Sequence, residues 1–583
     1  MGRVLLLLFC FALSVVGHLS AQQKPNIVLI LTDDLDAVVS PEFFPEVLPV
    51  VDSLQKQGVN FTNSFVPISV CCPSRAGLLS GKLGHRTNVM NNGGAHGGWK
   101  QFRDDEPTAL PAHLSKAGYR TCLIGKYLNG YATRGKKQPP VPYGWTDGGL
   151  FVDHGLTPYK GYGYRFMKWQ NGVGVNDTVW KAQTQLTKHG KKEVDYSTDV
   201  LKEQALQFLN DSAQSGKPFC MFVVPTAPHF PLPPAPRYYQ KAVERWAHTP
   251  VPDKPNTFAD KGKLATGEAT EKPLDKPWWI RKTWAKRQRQ KGIGGKQFNL
   301  FWRGNVPKNI KVYKDADWFN RMGSLYAVND LVSDVVSTLK KNGQWDNTLL
   351  IFTSDNGYQF GNHGLYQKST PYEESIRVPL VISGGAALKL KQQTNIGEWV
   401  INHDLMPTIL EMAGVKVPDS LDGRSLAKYL TTGDPNPAPL RNKVLLEYTG
   451  PGMMGYLTRA WRLQFFMLPS YFSDLPTYHA VRMKVTGAGG KEVVYKYIEW
   501  ERYPGMWRLR EKLNANNPGL QKRIAKGKPA LLKRIEKVKA TENELYNLTD
   551  DPYELDNLLY YQPEQHKEIA ATLKIELEKM MKE

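Results

Sequence analysis

The chain has 583 residues, of which 41% are hydrophobic and 22% are charged. A single compact domain rarely exceeds about 250–300 residues, so this length predicts two domains. The composition excludes a disordered, collagen-like or low-complexity chain, and only five cysteines in this length exclude a scaffold built on disulfides.

The first 21 residues have the order of segments that is typical of a secretory signal peptide. Arg3 precedes an apolar run over residues 4–16, and two small residues end the segment. The run is too short to cross a bilayer as a helix, which needs about 20 apolar residues. Charged sequence at Lys24 disfavours the alternative, a buried helix. We therefore expect residues 1–21 to be a signal peptide, and the mature protein to have no membrane span and to be secreted, extracellular or lysosomal.

Four Asn-X-Ser/Thr triplets agree with this route. They predict glycosylation at surface positions, and their asparagines are Asn60, Asn176, Asn210 and Asn547.

The first two thirds of the chain alternate between strand and helix signals. Short continuous apolar runs predict buried parallel strands at residues 26–31, 218–224 and 348–353. Helical periodicity separates them, at residues 110–117 and 325–339. This alternation predicts an α/β domain over residues 24–440.

Two other regions have different patterns. Residues from about 236 to 320 are rich in Pro, Lys and Trp and show little periodicity, which predicts a long surface insertion. Beyond residue 440 the chain has short strand-like pieces such as residues 493–498, then an amphipathic helix from about 563 to 582. These features predict a smaller C-terminal α+β domain over residues 441–583.

The basic charge of the chain is concentrated in two segments. Lys and Arg number 76 against 55 Asp and Glu, a net charge of +21. Residues 281–314 contain 11 basic and no acidic residues, and residues 502–539 contain 12 basic and two acidic ones. Such a surface concentrates anionic ligands, and the aromatic residues in the first segment suit a sulfated sugar or a nucleic acid. The secretory route disfavours nucleic acid as a partner; the alternative is two solvated insertions without a specific partner.

Polar side chains follow two of the predicted strands. They are Asp33 and Asp34 after the first strand, and Asp355 and Asn356 after the strand at 348–353. Ligands of open α/β sheets lie beyond the carboxyl ends of strands, and oxygen donors suit Ca²⁺ or Mg²⁺ rather than zinc. One such pair alone is more often a cap or turn, but two pairs at two strand ends predict a metal site.

The doublet Cys71-Cys72 stands in a second unusual motif. By itself it is compatible with a vicinal disulfide, a pair of metal ligands or a thiol nucleophile, and none of these explains the Pro73 and Arg75 that follow. The run Cys71-Cys-Pro-Ser-Arg75 resembles the sulfatase signature C-x-P-S-R, whose first cysteine is oxidised in the secretory pathway to formylglycine (3-oxoalanine).

The resemblance to sulfatases extends over nearly the whole mature chain. Further matching motifs lie at residues 24–28, 118–128, 353–357, 372–379, 404–408, 421–425, 544–548 and 551–554. The chain is identified as a member of the formylglycine-dependent sulfatases, most similar to the branch of N-acetylglucosamine-6-sulfatases, extracellular heparan sulfatases and arylsulfatases. The resemblance implies an alkaline-phosphatase-like fold, with a large mixed, mostly parallel sheet flanked by helices.

The resemblance also implies an activity and its residues. The chain would hydrolyse sulfate monoesters of a sulfated carbohydrate of the glucosamine 6-sulfate type, after a formylglycine-generating enzyme has converted Cys71. One Ca²⁺ would be bound by Asp33, Asp34, Asp355, Asn356 and the modified Cys71. Arg75 would hold the aldehyde hydrate, and the sulfate and its bridging oxygen would contact Lys126, His229 and Lys368. Positive groups suit this role because negative charge builds on the leaving oxygen as the S–O bond breaks.

One position departs from the family pattern. Many sulfatases have a histidine two residues after the signature lysine, where this chain has Leu128. His85 and His363 are candidates to replace it because each lies next to a site motif, although each is equally compatible with a structural role. Asn129 is a candidate for orienting the substrate. With Cys71 converted, the remaining Cys72, Cys122 and Cys220 allow at most one intramolecular disulfide.

Two other functions remain as alternatives. Phosphatases and phosphonate hydrolases of the same superfamily usually bind two metals through additional His and Asp residues, and His363 is the one hint of such a site. A non-catalytic glycan-binding relative would keep the basic segments, but the intact metal ligands disfavour it.

Overall fold

A computed structural model describes most of the chain. It covers residues 23–131, 139–152, 161–174, 195–247, 316–450, 476–501 and 542–583, apart from a few positions inside these ranges, and isolated residues that include 159, 276 and 277. The predicted signal peptide, Asn176 and both basic segments lie outside the described residues.

A ten-stranded sheet forms the centre of the larger part of the molecule. Its strands are β1 Asn26–Thr32, β2 Val59–Phe65, β3 Arg120–Gly125, β4 Asp147–Phe151, β5 Phe166–Gln170, β6 Val173–Gly174, β7 Phe219–Val224, β8 Thr348–Ser354, β11 Leu380–Gly384 and β12 Thr394–Ile401. Their order across the sheet is β12-β2-β11-β8-β1-β7-β3-β4-β5-β6. The two-residue strands β9 Gln359–Phe360 and β10 Tyr366–Gln367 pair separately.

The three strands predicted from apolar runs lie side by side at the middle of this sheet. β1 pairs in parallel with β7 on one side and with β8 on the other. The antiparallel pairs involve β11 and the edge strands β5 and β6, so the sheet is mixed and mostly parallel. Alternate residues of β1 enter two different apolar clusters, which shows that both faces are covered.

Helices cover both faces of the sheet. Among the described residues, the helices of seven or more residues are α1 Pro49–Gln57, α2 Cys71–Ser80, α3 Leu110–Lys116, α4 Ser197–Ser215, α5 Pro236–Trp246, α6 Ala316–Lys341, α7 Leu405–Met412 and α8 Lys567–Met580. Shorter helical turns lie at Phe44–Val47, Gly84–Thr87, Trp99–Phe102, Glu373–Ile376, Ala427–Leu430 and Leu558–Tyr561. The predicted helices at 110–117 and 325–339 correspond to α3 and to part of α6, and the predicted α/β class is confirmed.

The prediction of a surface insertion over residues 236–320 is wrong at both of its ends. α5 and the first turns of α6 contribute to the core. Trp246 and Trp318 are 1% and 0% exposed, and their ring centroids lie 6.4 Å apart. Lys and Arg on the outer faces hid the periodicity, because the inner faces are filled by large aromatic rings rather than by aliphatic residues. Most of the segment between these helices lies outside the described residues.

A second, four-stranded antiparallel sheet lies in the C-terminal part. Its order is β13-β14-β15-β16, with β13 Lys443–Tyr448, β14 Thr477–Thr486, β15 Glu492–Glu501 and β16 Glu542–Asn547. One face packs on α8 through Leu573 and Leu577. The other face joins a cluster that contains Phe65 and Trp399 of the large sheet, so the two sheets share one apolar layer.

No helix in the described part of the chain is both long enough and apolar enough to cross a membrane. Of the predicted glycosylation sites that the structure describes, Asn210 is exposed on α4, whereas Asn60 and Asn547 are half-buried.

Candidate active site

The parallel pairing of β1 and β8 brings the two polar pairs together. The strands are in register at their ends, where Thr32 lies opposite Ser354. The main-chain N–H of Asp34 donates to Oδ1 of Asp355 at 3.1 Å, and Asp34 has a left-handed φ of 71°. The four side chains of the predicted metal site, Asp33, Asp34, Asp355 and Asn356, are all between 0% and 2% exposed.

The cysteine motif lies on the buried helix α2 beside this group. Cys71 is the first residue of the helix, and its Sγ lies 3.6 Å from Oδ1 of Asp33. Arg75 follows one turn later on the same face. Its Nε and Nη2 both lie 2.8 Å from Oδ2 of Asp355, and its Nη1 donates to the carbonyl of Lys126 at 2.8 Å. The spacing of the motif therefore fixes the cysteine and the guanidinium against the strand ends.

Lys126 enters the site directly after β3. The preceding Gly125 has a φ of 113°, and a Cβ there would lie 2.2 Å from the carbonyl oxygen of Val224, so a side chain does not fit. The Nζ of Lys126 donates to Oδ2 of Asp33 at 2.5 Å.

Lys368 reaches the same group from a loop after β10. Its Nζ lies 2.9 Å from the Sγ of Cys71 and 3.4 Å from Oδ1 of Asn356, and it also donates to Oδ1 of Asp34. The loop is sharply turned here because Gln367 and Ser369, on either side, have φ values of 78° and 76°.

His229 completes the group from the loop after β7. Its Nε2 lies 3.6 Å from Oδ2 of Asp34, and its Nδ1 contacts the carbonyl oxygen of Phe230. Since that carbonyl can only accept, Nδ1 carries the hydrogen and Nε2 is directed to the carboxylates. Lys126, Lys368 and His229 are the predicted sulfate-contacting groups, and the structure brings all three together.

The charges of the site stabilise one another. Burial by itself raises the pKa values of Asp33 and Asp34. Lys126 and His229 outweigh it at Asp33, and Lys368 and His229 outweigh it at Asp34, so both pKa values lie below the ordinary value. Burial raises the pKa of the Cys71 thiol to about 11. Burial lowers the pKa of His229, and the two aspartates oppose this effect only in part.

The donor set fits a hard divalent cation. Ligand atoms of Asp33, Asp34, Cys71 and His229 lie within 4.8 Å of one another, and Asp355 and Asn356 border them through the contacts described above. Three buried carboxylates and an amide oxygen are donors that suit Ca²⁺. A cation bound there would share the three carboxylates with Lys126, Lys368 and Arg75.

The three candidate residues for substrate contact, His85, Asn129 and His363, lie in different places. The Nδ1 of His85 lies 3.0 Å from Oε2 of Glu447 on β13, so this histidine connects to the second sheet. His363 stacks on Tyr372 at 4.1 Å and groups with Glu374 and Glu554 in a second buried cluster. His363 therefore lies in a cluster separate from that of Asp33 and Asp34.

Asn129 and Leu128 lie next to the cysteine helix. The carbonyl of Asn129 accepts from the N–H of Trp99 at 2.7 Å. Leu128 is 4% exposed in the apolar cluster that also contains Cys72. Leu128 therefore contributes packing and no polar group.

The remaining cysteines are free thiols in the described chain. Cys122 and Cys220 lie on the paired strands β3 and β7, but they belong to apolar clusters on opposite faces of the sheet. The two therefore do not form the disulfide that the sequence left open.

Sequence reasoning missed two residues that contact the site. Tyr159 stacks on the ring of His229, and Arg321 donates from Nη2 to the carbonyl of Asp34. Neither stands in a recognisable motif, because each contact involves an aromatic face or a main-chain atom. Only the fold brings them to the site.

Comparisons with known proteins agree with this geometry. A family model described as Sulfatase matches residues 25–415. Human N-acetylglucosamine-6-sulfatase is 33% identical over 458 residues, which cover 77% of this chain and 72% of that protein.

Two solved structures share the fold. One is a protein in complex with its substrate D-glucosamine-2-N,6-O-disulfate, with a TM-score of 0.63, 21% identity and coverage of 96% of this chain and 98% of that chain. The other is a phosphonate monoester hydrolase from Silicibacter pomeroyi, with a TM-score of 0.59, 19% identity and coverage of 96% and 95%.

Proposed function

The chain belongs to the sulfatase family and is a sulfuric ester hydrolase; from this premise we propose that it removes sulfate from a sulfated carbohydrate of the glucosamine 6-sulfate type. The observation that carries this proposal is the position of Cys71, whose Sγ lies 3.6 Å from Asp33 and 2.9 Å from Lys368. The side chain that the family converts to an aldehyde is thus held between the carboxylates and the cations. The substrates named for the human relative and for the glucosamine disulfate complex support the choice of sugar.

We further propose that Cys71 is converted to formylglycine and that Ca²⁺ is held by Asp33, Asp34, Asp355 and Asn356. The hydrated aldehyde would supply an oxygen nucleophile, and the cation would supply positive charge beside the sulfate oxygens. Because conversion takes place in the secretory pathway, this proposal requires a formylglycine-generating enzyme and agrees with the predicted signal peptide. The protein would then be secreted or lysosomal.

Three side chains orient the residue at position 71 and supply positive charge to the site. Arg75 holds the first turn of α2 against Asp355, which fixes the direction of the side chain at position 71. Lys126 and Lys368 place two ammonium groups beside the position proposed for the sulfate, and buried cations stabilise developing negative charge more strongly than exposed ones. These groups would stabilise the negative charge that builds on the leaving oxygen.

The leaving alcohol needs a proton as its S–O bond breaks. We take the Nε2 of protonated His229 and the Nζ of Lys368 as the candidate donors, and the hydrogen bond from Nδ1 to the Phe230 carbonyl keeps Nε2 turned inward. We assign the proton donation to one of these two atoms.

The test uses the aryl substrate 4-nitrophenyl sulfate and glucosamine 6-sulfate with protein secreted from a eukaryotic host. We expect Cys71→Ala to lower kcat by at least about 10³-fold, as removal of a nucleophile does. Cys72→Ala is the matched control, because this neighbouring thiol is 0% exposed in an apolar cluster, and we expect it to retain activity. Mass spectrometry of the peptide around position 71 should detect an aldehyde. Equal rates for the wild type and Cys71→Ala would refute the proposal.

A further inference from the structure

We propose that Tyr159 is a positioning residue of the sulfatase site, holding the imidazole of His229 and the ammonium of Lys126 in a single arrangement on the leaving-group side. This inference rests on the proposed function, because both partners are the groups expected to contact the sulfate ester. Tyr159 belongs to none of the motifs that resemble the family.

The phenol ring of Tyr159 lies across two groups that come from different strands. Its centroid is 4.2 Å from that of the His229 ring, with 31° between the planes. The Nζ of Lys126 lies 5.2 Å from the same centroid. One half-buried side chain therefore contacts the residue after β3 and the loop after β7 together.

His229 needs such a support for its ring plane. The hydrogen bond from Nδ1 to the Phe230 carbonyl fixes one edge of the imidazole. At 3.6 Å the Nε2 contact with Asp34 is longer than a hydrogen bond, so it does not fix the opposite edge. Contact with the tilted Tyr159 ring restricts rotation of the imidazole and keeps Nε2 directed to the position of the leaving oxygen.

Lys126 needs a similar support for its donors. An ammonium has three hydrogens, and the hydrogen bond to Asp33 uses one of them. The ring of Tyr159, whose centroid is 5.2 Å away, attracts the cation and limits the directions of the other two hydrogens. Without the ring, the ammonium loses this contact and a sulfate oxygen loses a fixed donor.

A nearby tyrosine shows what an ordinary structural contact looks like in this part of the chain. The hydroxyl of Tyr164 donates to the carbonyl of Asp195 at 3.0 Å, and its ring packs edge-on against Phe151 at 5.0 Å. Tyr164 is 1% exposed and contacts no predicted site residue through these interactions. Tyr164→Phe is therefore a matched control for the loss of a tyrosine hydroxyl.

The experiment measures kcat and KM for a series of aryl sulfates, from 4-nitrophenyl sulfate to phenyl sulfate. The leaving group of the first needs little protonation and that of the last needs much more. We expect Tyr159→Leu, which removes the ring from both groups, to lower kcat on phenyl sulfate about 100-fold, with a smaller loss on 4-nitrophenyl sulfate and KM within about twofold. Tyr159→Phe, which keeps the ring, should retain kcat within about threefold on both substrates.

The controls separate this role from a structural one. Tyr164→Phe should leave the dependence on the leaving group unchanged even if it lowers Tm. Equal losses on all aryl sulfates, a loss confined to KM, or unchanged kinetics in both Tyr159 variants would overturn the inference. A wild type that hydrolyses none of the aryl sulfates would instead contradict the sulfatase proposal itself.

Discussion

Asp34 depends on a buried guanidinium that lies far from it in sequence. Arg321, on α6, is 1% exposed and donates from Nη2 to the Asp34 carbonyl. Its guanidinium carbon also lies 4.5 Å from the ring of Tyr358 and 4.6 Å from that of Phe360. Because Asp34 has a left-handed φ, a partner that fixes its carbonyl also fixes the direction of its carboxylate. Arg321 thus supports a proposed metal ligand without contacting the metal position.

Replacing this arginine should therefore weaken Ca²⁺ binding. We expect Arg321→Met to lower the Ca²⁺ affinity by about tenfold, the lower end of what loss of a residue that orients a ligand costs. The measurement is calorimetric titration of EGTA-treated protein with Ca²⁺. Arg237→Met is the control, because that guanidinium pairs with Asp199 and Asp330 away from the strand ends, and its variant should bind Ca²⁺ normally. An unchanged affinity of Arg321→Met would show that Asp34 is held in place by other contacts.

At the scale of elements, the second sheet supports the loop that follows Lys368. Lys496 on β15 is 0% exposed, and its Nζ lies 2.8 Å from Glu373, 2.7 Å from Glu554 and 2.9 Å from the carbonyl of Pro371. The main-chain N–H of Glu373 donates to Glu554 in turn. Burial raises the pKa of Glu373, but Lys496 and Arg482 outweigh it and hold that pKa well below its ordinary value. The sheet and the loop thus form one ionic network.

Breaking this network should be costly. Lys496→Met would leave two buried carboxylates without their shared cation, and we expect the free energy of unfolding to fall by about 3–5 kcal/mol. Urea denaturation followed by tryptophan fluorescence measures it. Lys579→Met is the control, because Lys579 is 60% exposed in its pair with Glu576, and surface pairs contribute at most about 1 kcal/mol. Similar losses in the two variants would mean that the buried network does not anchor the loop.

At the scale of the whole molecule, the net charge of +21 is concentrated in residues 281–314 and 502–539. Both segments lie outside the described residues. Exposed charges are screened by salt over about 10 Å at 0.1 M, whereas buried groups are screened much less. Binding of a long polyanion and turnover of a small ester should therefore respond differently to salt.

We expect the affinity for a sulfated polysaccharide to fall steeply between low and high NaCl, while kcat/KM for 4-nitrophenyl sulfate changes by less than about twofold. Replacing Arg287, Arg289 and Lys291 together by Gln should reduce the salt dependence of binding. The control replaces Lys567, Lys574 and Lys579, which are 74%, 48% and 60% exposed on or beside α8. If polysaccharide binding and aryl sulfate turnover respond alike to salt, the basic segments do not bind the substrate chain.

Local sequence patterns predicted much of the arrangement of this site. The apolar runs of β1, β7 and β8 predicted adjacent buried strands, and parallel strands that end at one edge must deliver their following residues to the same place. The spacing from Cys71 to Arg75 is one helical turn, so both side chains had to share a face of α2. Lys126, His229 and Lys368 came from the resemblance to a family, and the structure places them around the same carboxylates.

Other features depended on the path of the whole chain. The grouping of His363 with Glu374 and Glu554, and the contact of His85 with Glu447, follow from how the second sheet packs, which no periodicity describes. The two ends of the predicted insertion are core helices. Their helical pattern was missed because their buried faces carry aromatic rings instead of the aliphatic residues that usually reveal a helix.

The sequence by itself determined the fold class, the sulfatase signature and the four oxygen donors, because each depends on residues that are close along the chain or on the ends of paired strands. Only the tertiary structure decided that Tyr159 supports His229 and Lys126, that Arg321 holds Asp34, and that Lys496 ties the second sheet to the loop after Lys368. Those contacts use aromatic faces, main-chain carbonyls and shared buried cations. Such groups occur throughout any sequence, and only their distances in the folded molecule distinguish the ones that serve the site.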